Sequence, residues 1–179
     1  MQKTKGIYLI VGKSGSGKTT LVNELRKYGY TSVESYTTRP KRFKNETGHT
    51  FITEEEFDQL KDICAYVKYN GYRYCATSEQ VNNSTLYVID PDGIEYFKKH
   101  YTGHKKICVL YIDCPWYTRL YRMLKRGDSL KQAINRIMLD SKVFANCENK
   151  VNYIIVNKNK RRAVNFLQSV ISELENYGE

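Results

Sequence analysis

Cysteine is sparse and poorly spaced for bridging: Cys64, Cys75, Cys108, Cys114 and Cys147 are odd in number, and no two form a close CxxC pair. That excludes a disulfide framework and a zinc site, and it predicts reduced thiols in a cytoplasmic setting. Proline occurs three times and glycine eleven, without the bias of a disordered or collagen-like chain. Long apolar runs are missing too. GIYLIV at residues 6–11 stops at GKSG after six residues, too short for a signal peptide or a membrane span. No N-K-x-D base-reading motif is present, since NKNK at 157–160 lacks the aspartate, and this speaks against a GTPase. Acidic residues are in deficit, 19 against 29 Lys and Arg, which leaves a net charge of +10 and favours polyanionic partners. The excess is scattered through KRFK, KHYTGHKK and KNKRR on no common helical face, and no helical basic region appears, so no nucleic-acid partner is expected.

What is present fits one α/β domain. A chain of 179 residues is long enough to bury its own core. Apolar, β-rich runs recur at 6–11, 31–34, 85–90, 107–113 and 151–156, without the polar alternation of a half-wet sheet. Helical patterns lie between and after them at 19–28, 92–100, 115–125, 129–146 and 160–176. The alternation predicts a three-layer α/β sandwich around a mostly parallel five-stranded sheet. Residues 48–84 break the rhythm. They read as a short strand, a helix opened by Thr53 with Glu54–Glu56 at its positive end, and two strands around the turn NG, a small antiparallel insertion placed to wall a cleft.

GKSGSGKT fits G-x-x-x-x-G-K-[ST] directly after an apolar strand and before a helical pattern. In that context Gly12, Lys13, Ser14, Gly15, Ser16, Gly17, Lys18, Thr19 and Thr20 form a P-loop and the start of its helix. Backbone N–H groups wrap a phosphate, Lys18 reaches the β/γ oxygens and the Thr19 hydroxyl is the candidate Mg²⁺ ligand. A phosphoryl acceptor then needs its own cationic cradle. SYTTRPKR at 35–42 supplies two guanidinium forks, Arg39 and Arg42, with hydroxyls at Ser35, Thr37 and Thr38; the competing reading is a solvated basic loop.

Taken in order, GKSGSGKT, SYTTRPKR, GHTFITEEEF, GYRYCATSEQV, VIDPDG, RLYRMLKRG and YIIVN give the chain a strong resemblance to the guanylate kinase family of nucleoside monophosphate kinases over nearly its whole length. The resemblance implies a P-loop NTPase fold with a core of residues 1–34, 85–121 and 148–179, an acceptor-binding region at 35–84 and a helical lid at 122–147. It assigns Ser35, Arg39, Arg42 and Tyr74 to the acceptor phosphate, and either His49 or Phe51 to a further phosphate contact. Asp90 falls where a carboxylate faces the acceptor base, although its place after an apolar strand also suits water-mediated contact with Mg²⁺. Arg122, Arg126 and Arg136 match the arginines that close on the donor phosphates, and Asn157 an asparagine near the donor adenine. Spacing agrees for the first pair, because Arg122 and Arg126 are four apart and share a helical face.

The departures gather where the family reads its base. Ala65 stands at the glutamate that accepts from guanine, Ala76 at a base-reading hydroxyl with Thr77 one step away, and Cys75 at a glycine. The expected activity is transfer of the ATP γ-phosphoryl group to GMP or dGMP, with ATP and Mg²⁺ bound, no membrane partner, and a monomer or homodimer. The alternatives are the same chemistry on another monophosphate or phosphorylated metabolite, and a non-catalytic binding module.

Overall fold

Every residue of β1 (Gly6–Val11) is buried, because the strand runs through the middle of a parallel sheet covered on both faces. The sheet order is β6 (Leu86–Val88), β1, β7 (Lys106–Asp113) and β8 (Tyr153–Val156), with all pairings parallel. The structure is a computed structural model that describes residues 4–41, 44–69, 71–145 and 147–177. Side chains alternate along β1 as strand geometry demands. Ile7, Leu9 and Val11 face a core shared with Val109, Tyr111, Phe144 and Phe97 of α4 (Pro91–His100). Tyr8 and Ile10 face one shared with Leu21 and Leu25 of α1 (Lys18–Arg26) and Leu167 of α7 (Lys160–Tyr177). Each fully buried leucine here contributes about 1.5–3 kcal/mol of transfer free energy.

The sheet holds four strands among the described residues where five were expected. Residues 31–34 contribute only the isolated parallel bridge between Ser32 and Leu86. That bridge joins the Thr31 carbonyl and the Val33 N–H to Leu86 and is not continued, while the Glu34 carbonyl accepts from the Gln80 amide at 2.8 Å and the Thr50 hydroxyl at 3.3 Å.

Those contacts lead into a second sheet of β2 (Tyr36–Thr37), β3 (Thr50–Phe51), β4 (Ile63–Tyr69) and β5 (Tyr72–Thr77), ordered β3-β2-β5-β4. It is mixed, not purely antiparallel, because β2 and β3 run parallel. α2 (Glu54–Asp58) opens with the expected capping box of Thr53 and Glu56, and a second box formed by Thr77 and Gln80 starts α3 (Ser78–Asn82). Beyond β7, α5 (Trp116–Lys125) ends at Gly127, and Ser129 caps α6 (Leu130–Val143), which stops short of the expected residue 146. Among the described residues no helix is long and apolar enough to cross a membrane. All five cysteines are free, and burial pushes the Cys64 thiol up to about 11 and Cys75 up to about 12, which leaves both inert at neutral pH.

Candidate active site

In a parallel sheet all strands end on one edge, and there the chain gathers its chemistry: the loop after β1, Asp90 after β6, Cys114 after β7 and Asn157 after β8. The glycine-rich loop is wedged between neighbours. A Cβ at Gly12 would stand 2.5 Å from the Ile112 carbonyl, one at Gly15 2.8 Å from the Arg119 carbonyl, and one at Gly17 2.5 Å from Nδ2 of Asn157. Gly17 also has φ +96°, in the left-handed region that other residues avoid. Lys18 folds back so that Nζ donates to the Gly12 carbonyl at 2.5 Å and the Lys13 carbonyl at 3.4 Å. Burial holds this ammonium below the usual lysine range, with Asp90 and Asp140 opposing the shift.

Ser14, Gly15, Gly17, Lys18, Thr19 and Thr20 line a cavity of about 540 Å³ whose other walls are Arg122, Arg126, Arg136, Asn157 and Lys160. Among the described residues five cations and no carboxylate line it, a lining whose charge suits a polyanion. Arg122 reaches inward, donating to the Ser16 carbonyl at 3.0 Å and the Asn157 carbonyl at 3.0 Å. Arg126 is exposed and pairs with Asp128 at 2.7 Å. Asn157 is buried and donates to the Ser16 carbonyl at 2.7 Å, so its amide braces the loop from behind. Gly12, Lys13 and Ser16 shape the loop from outside the cavity lining, Ser16 being fully buried.

Thr19 is shared with a second cavity lined by Ser35, Arg39, Glu46, His49 and Val88 among others. Arg39 does face this crevice, but its fork is engaged: Nη2 and Nη1 donate to the two oxygens of Glu46 at 2.8 and 3.2 Å. Glu46, and less strongly Tyr74, hold the guanidinium above its usual range. Ser35 and His49 are joined by a 2.9 Å hydrogen bond, and the His49 ring meets Tyr74 edge-on at 5.6 Å. Ser35, His49 and Val88 continue into a third pocket, of about 140 Å³, walled by Ala65, Tyr66, Val67, Tyr74, Tyr87 and Asp90. Asp90 precedes α4 as its N-cap but makes no capping bond. Solvent reaches this residue through the open mouth, yet the surrounding walls crowd it. Partial desolvation pushes the carboxyl above its ordinary range, and Lys18 opposes.

Two sequence expectations are corrected, and for an alternative left open the two residues are placed. Thr38 does not face the cleft cavities; its hydroxyl accepts from the Arg73 N–H at 3.1 Å and fixes β5. Thr77 spends its hydroxyl capping α3 and lines none of the three cavities, so it does not replace the hydroxyl missing at Ala76. Between the two candidates for one position, His49 lines the cleft, whereas Phe51 packs beneath Arg39 at 5.3 Å. Arg42 lies outside the described residues. Sequence reasoning overlooked Glu46, Lys160, Arg119 and Asp140. Arg119 was detectable as the third member, three residues before Arg122, of the arginine stripe on α5, and Asp140 as the residue one turn after Arg136 on α6.

The chain is similar to known proteins along nearly its whole length. The family model for guanylate kinase matches residues 4–174. The guanylate kinase of Thermotoga maritima is 30% identical over 179 aligned residues, covering 92% of this chain and 85% of that protein. That of Clostridium tetani is 30% identical over 182, covering 94% and 86%. The crystal structure of guanylate kinase from Anaplasma phagocytophilum shares the fold, with a TM-score of 0.69 at 19% identity over 98% of this chain and 88% of the other. A match along almost the entire sequence, on a scaffold that sets a glycine-rich loop beside three arginines, places the chain in the guanylate kinase family.

Proposed function

We propose that the chain catalyses reversible in-line transfer of the γ-phosphoryl group of ATP to the phosphate of GMP or dGMP. The observation that carries this reading is the continuous run of cavities from a cationic site at Lys18, with no carboxylate among its described lining residues, through Thr19, to a crevice headed by Arg39. In this reading residues 35–84 are the acceptor-binding region and 122–147 the lid, on a core of 1–34, 85–121 and 148–179. The glycine-rich segment is a P-loop whose amides and Lys18 hold the donor phosphates. Arg122, Arg126 and Arg136 surround the transferring group, with Arg126 leaving Asp128 as the lid closes. Arg39, Tyr74, Ser35 and His49 receive the acceptor phosphate, joined by Arg42 from the same loop, and Asp90 accepts from the base. No protein nucleophile is required, since an acceptor phosphate oxygen attacks directly. The protein positions two anions and compensates their charge, and closure keeps water from the phosphoryl group.

Mg²⁺ carried by the nucleotide would supply charge neutralisation; the exposed Thr19 hydroxyl at the first turn of α1 is an oxygen donor suited to a hard cation that keeps most of its ligands from phosphate and water. Free thiols throughout support a cytoplasmic site of action.

A second reading is favoured by one feature of the base pocket: Ala65, Tyr66 and Val67 line β4's side of it, so Asp90 is the sole carboxylate among its described lining residues. An acceptor lacking the donor groups of guanine suits that wall as well. A coupled ADP-release assay over GMP, dGMP, IMP, AMP, CMP and UMP tests both. Turnover strongest with GMP or dGMP supports the first, turnover with another acceptor alone supports the second, and turnover with none removes both.

A further inference from the structure

Asp140 lies on α6, far in sequence from the glycine-rich loop, yet both its oxygens address that loop. Oδ2 accepts from the Ser14 backbone N–H at 2.7 Å, and Oδ1 from the Ser14 hydroxyl at 3.3 Å. Behind it Nη1 of Arg119, on α5, donates to Oδ2 at 3.0 Å. Asp140 is 13% and Arg119 4% exposed, so the pair is largely withdrawn from water. Arg119 also meets the loop through its backbone, since its carbonyl lies where a Cβ on Gly15 would intrude. Ser14 and Gly15 line the cationic cavity.

We propose that Arg119 and Asp140 form a clamp that positions the outer limb of the phosphate-binding loop, Ser14–Gly15, for the donor nucleotide and ties it to the lid helix α6. Neither residue faces the transferring group; they are positioning residues. Two features separate this from an ordinary strut between adjacent helices. The shortest contact of the carboxylate goes to the loop N–H and not to the arginine, and its second oxygen, unused by Arg119, is also directed at Ser14. A buried pair that served only to join α5 to α6 would turn that oxygen toward its partner guanidinium, as Glu46 does toward Arg39. The clamp therefore acts on donor affinity and leaves the acceptor site, on the other side of Thr19, untouched.

The inference rests on reading this cavity as the ATP site. Its test compares wild type with Asp140→Ala, Arg119→Met and the double variant Arg119→Met/Asp140→Leu, measuring KM for ATP, KM for the acceptor and melting temperature. A hydrogen bond to a charged group corresponds to about ten- to hundredfold in affinity. Asp140→Ala should therefore raise the ATP KM by at least about tenfold while the acceptor KM stays within about twofold. The double variant replaces a buried ion pair by apolar groups of similar size, which restores stability but not the bonds to Ser14. It should regain the wild-type melting temperature and keep the raised ATP KM. Recovery of the ATP KM together with the melting temperature would reduce the pair to scaffold, and so would equal rises in both KM values or no rise in either. Calorimetric titration of the same variants with ATP alone reads the clamp even if no monophosphate is turned over, so failure of the phosphotransfer reading and failure of the clamp give different results.

Discussion

The Arg39–Glu46 pair sets a competition that can be measured. Both side chains are only 9% exposed, and the carboxylate occupies the fork that the proposed function assigns to the acceptor phosphate. Replacing Glu46 by Gln keeps the size and one acceptor oxygen but removes the counter-charge. Breaking a buried pair from one side costs about 3–5 kcal/mol, and the retained acceptor puts this variant near the lower end, about 3 kcal/mol. For a domain of this size each kcal/mol moves the melting point by about 2–4 °C, so ligand-free Glu46→Gln should melt about 6–12 °C below wild type. An acceptor monophosphate brings the missing negative charge back to Arg39. In wild type it must share or displace a carboxylate, whereas in the variant it meets an uncompensated guanidinium. Saturating GMP should therefore stabilise the variant more than the wild type, and the gap between their melting curves should narrow. Thermal melts with and without GMP provide the assay. A gap that stays constant or widens would show that Glu46 orients Arg39 without competing for it, and the reasoning would fail.

Two more outcomes follow from the titrating groups in the cleft. Lys18 sits below its usual pKa because burial disfavours the ammonium, so the folded state bears a cost below the folded pKa that lifts as pH rises through it toward the unfolded value. Ligand-free Lys18→Met should accordingly melt above wild type near neutral pH, lose the gain in stability that wild type shows on the alkaline side, and show no kinase turnover. Asp90 is shifted the other way: its raised pKa gives stability below the unfolded value that is lost as pH rises through the folded one. Asp90→Asn should be more stable than wild type at neutral pH and bind the acceptor more weakly. The acceptor KM of wild type should rise on the acid side at a pH above the ordinary carboxylate range, and the variant's profile should be flat there. A change in Mg²⁺ dependence with acceptor KM intact would move Asp90 to the metal instead.

What could be read from the sequence was local. The glycine-rich loop is legible because strand, glycines, lysine and helix follow one another within a dozen residues, and the cavity around Lys18 forms where that spacing puts it. The buried strands announce themselves by unbroken apolar runs, and the α5 arginines by helical spacing. Misreadings arose where a side chain had two possible employers. Thr77 begins the pattern T-x-x-Q, a helix-start signature, and that nearby bond outcompetes a base contact. Thr38 is claimed by the strand opposite. Between His49 and Phe51 the sequence left the choice open; His49 lines the cleft and bonds Ser35, fourteen residues earlier, a partner that no periodicity announces. Asp140 meets Ser14 across 126 positions, and only the folded chain brings an α6 carboxylate to a loop amide. The fifth strand shrinks to a single bridge at Ser32, an outcome that the apolar run at 31–34 did not announce.

The three glycines at 12, 15 and 17 each abut a different part of the molecule: the end of β7, the backbone of α5 and the asparagine that follows β8. The octapeptide is thus moulded by its surroundings as much as by its own torsions. Transplanted into an unrelated strand–turn–helix, GKSGSGKT would carry the flexibility of its glycines without the walls that give them a shape, and a randomised library at positions 12, 15 and 17 of this chain should return glycine at all three.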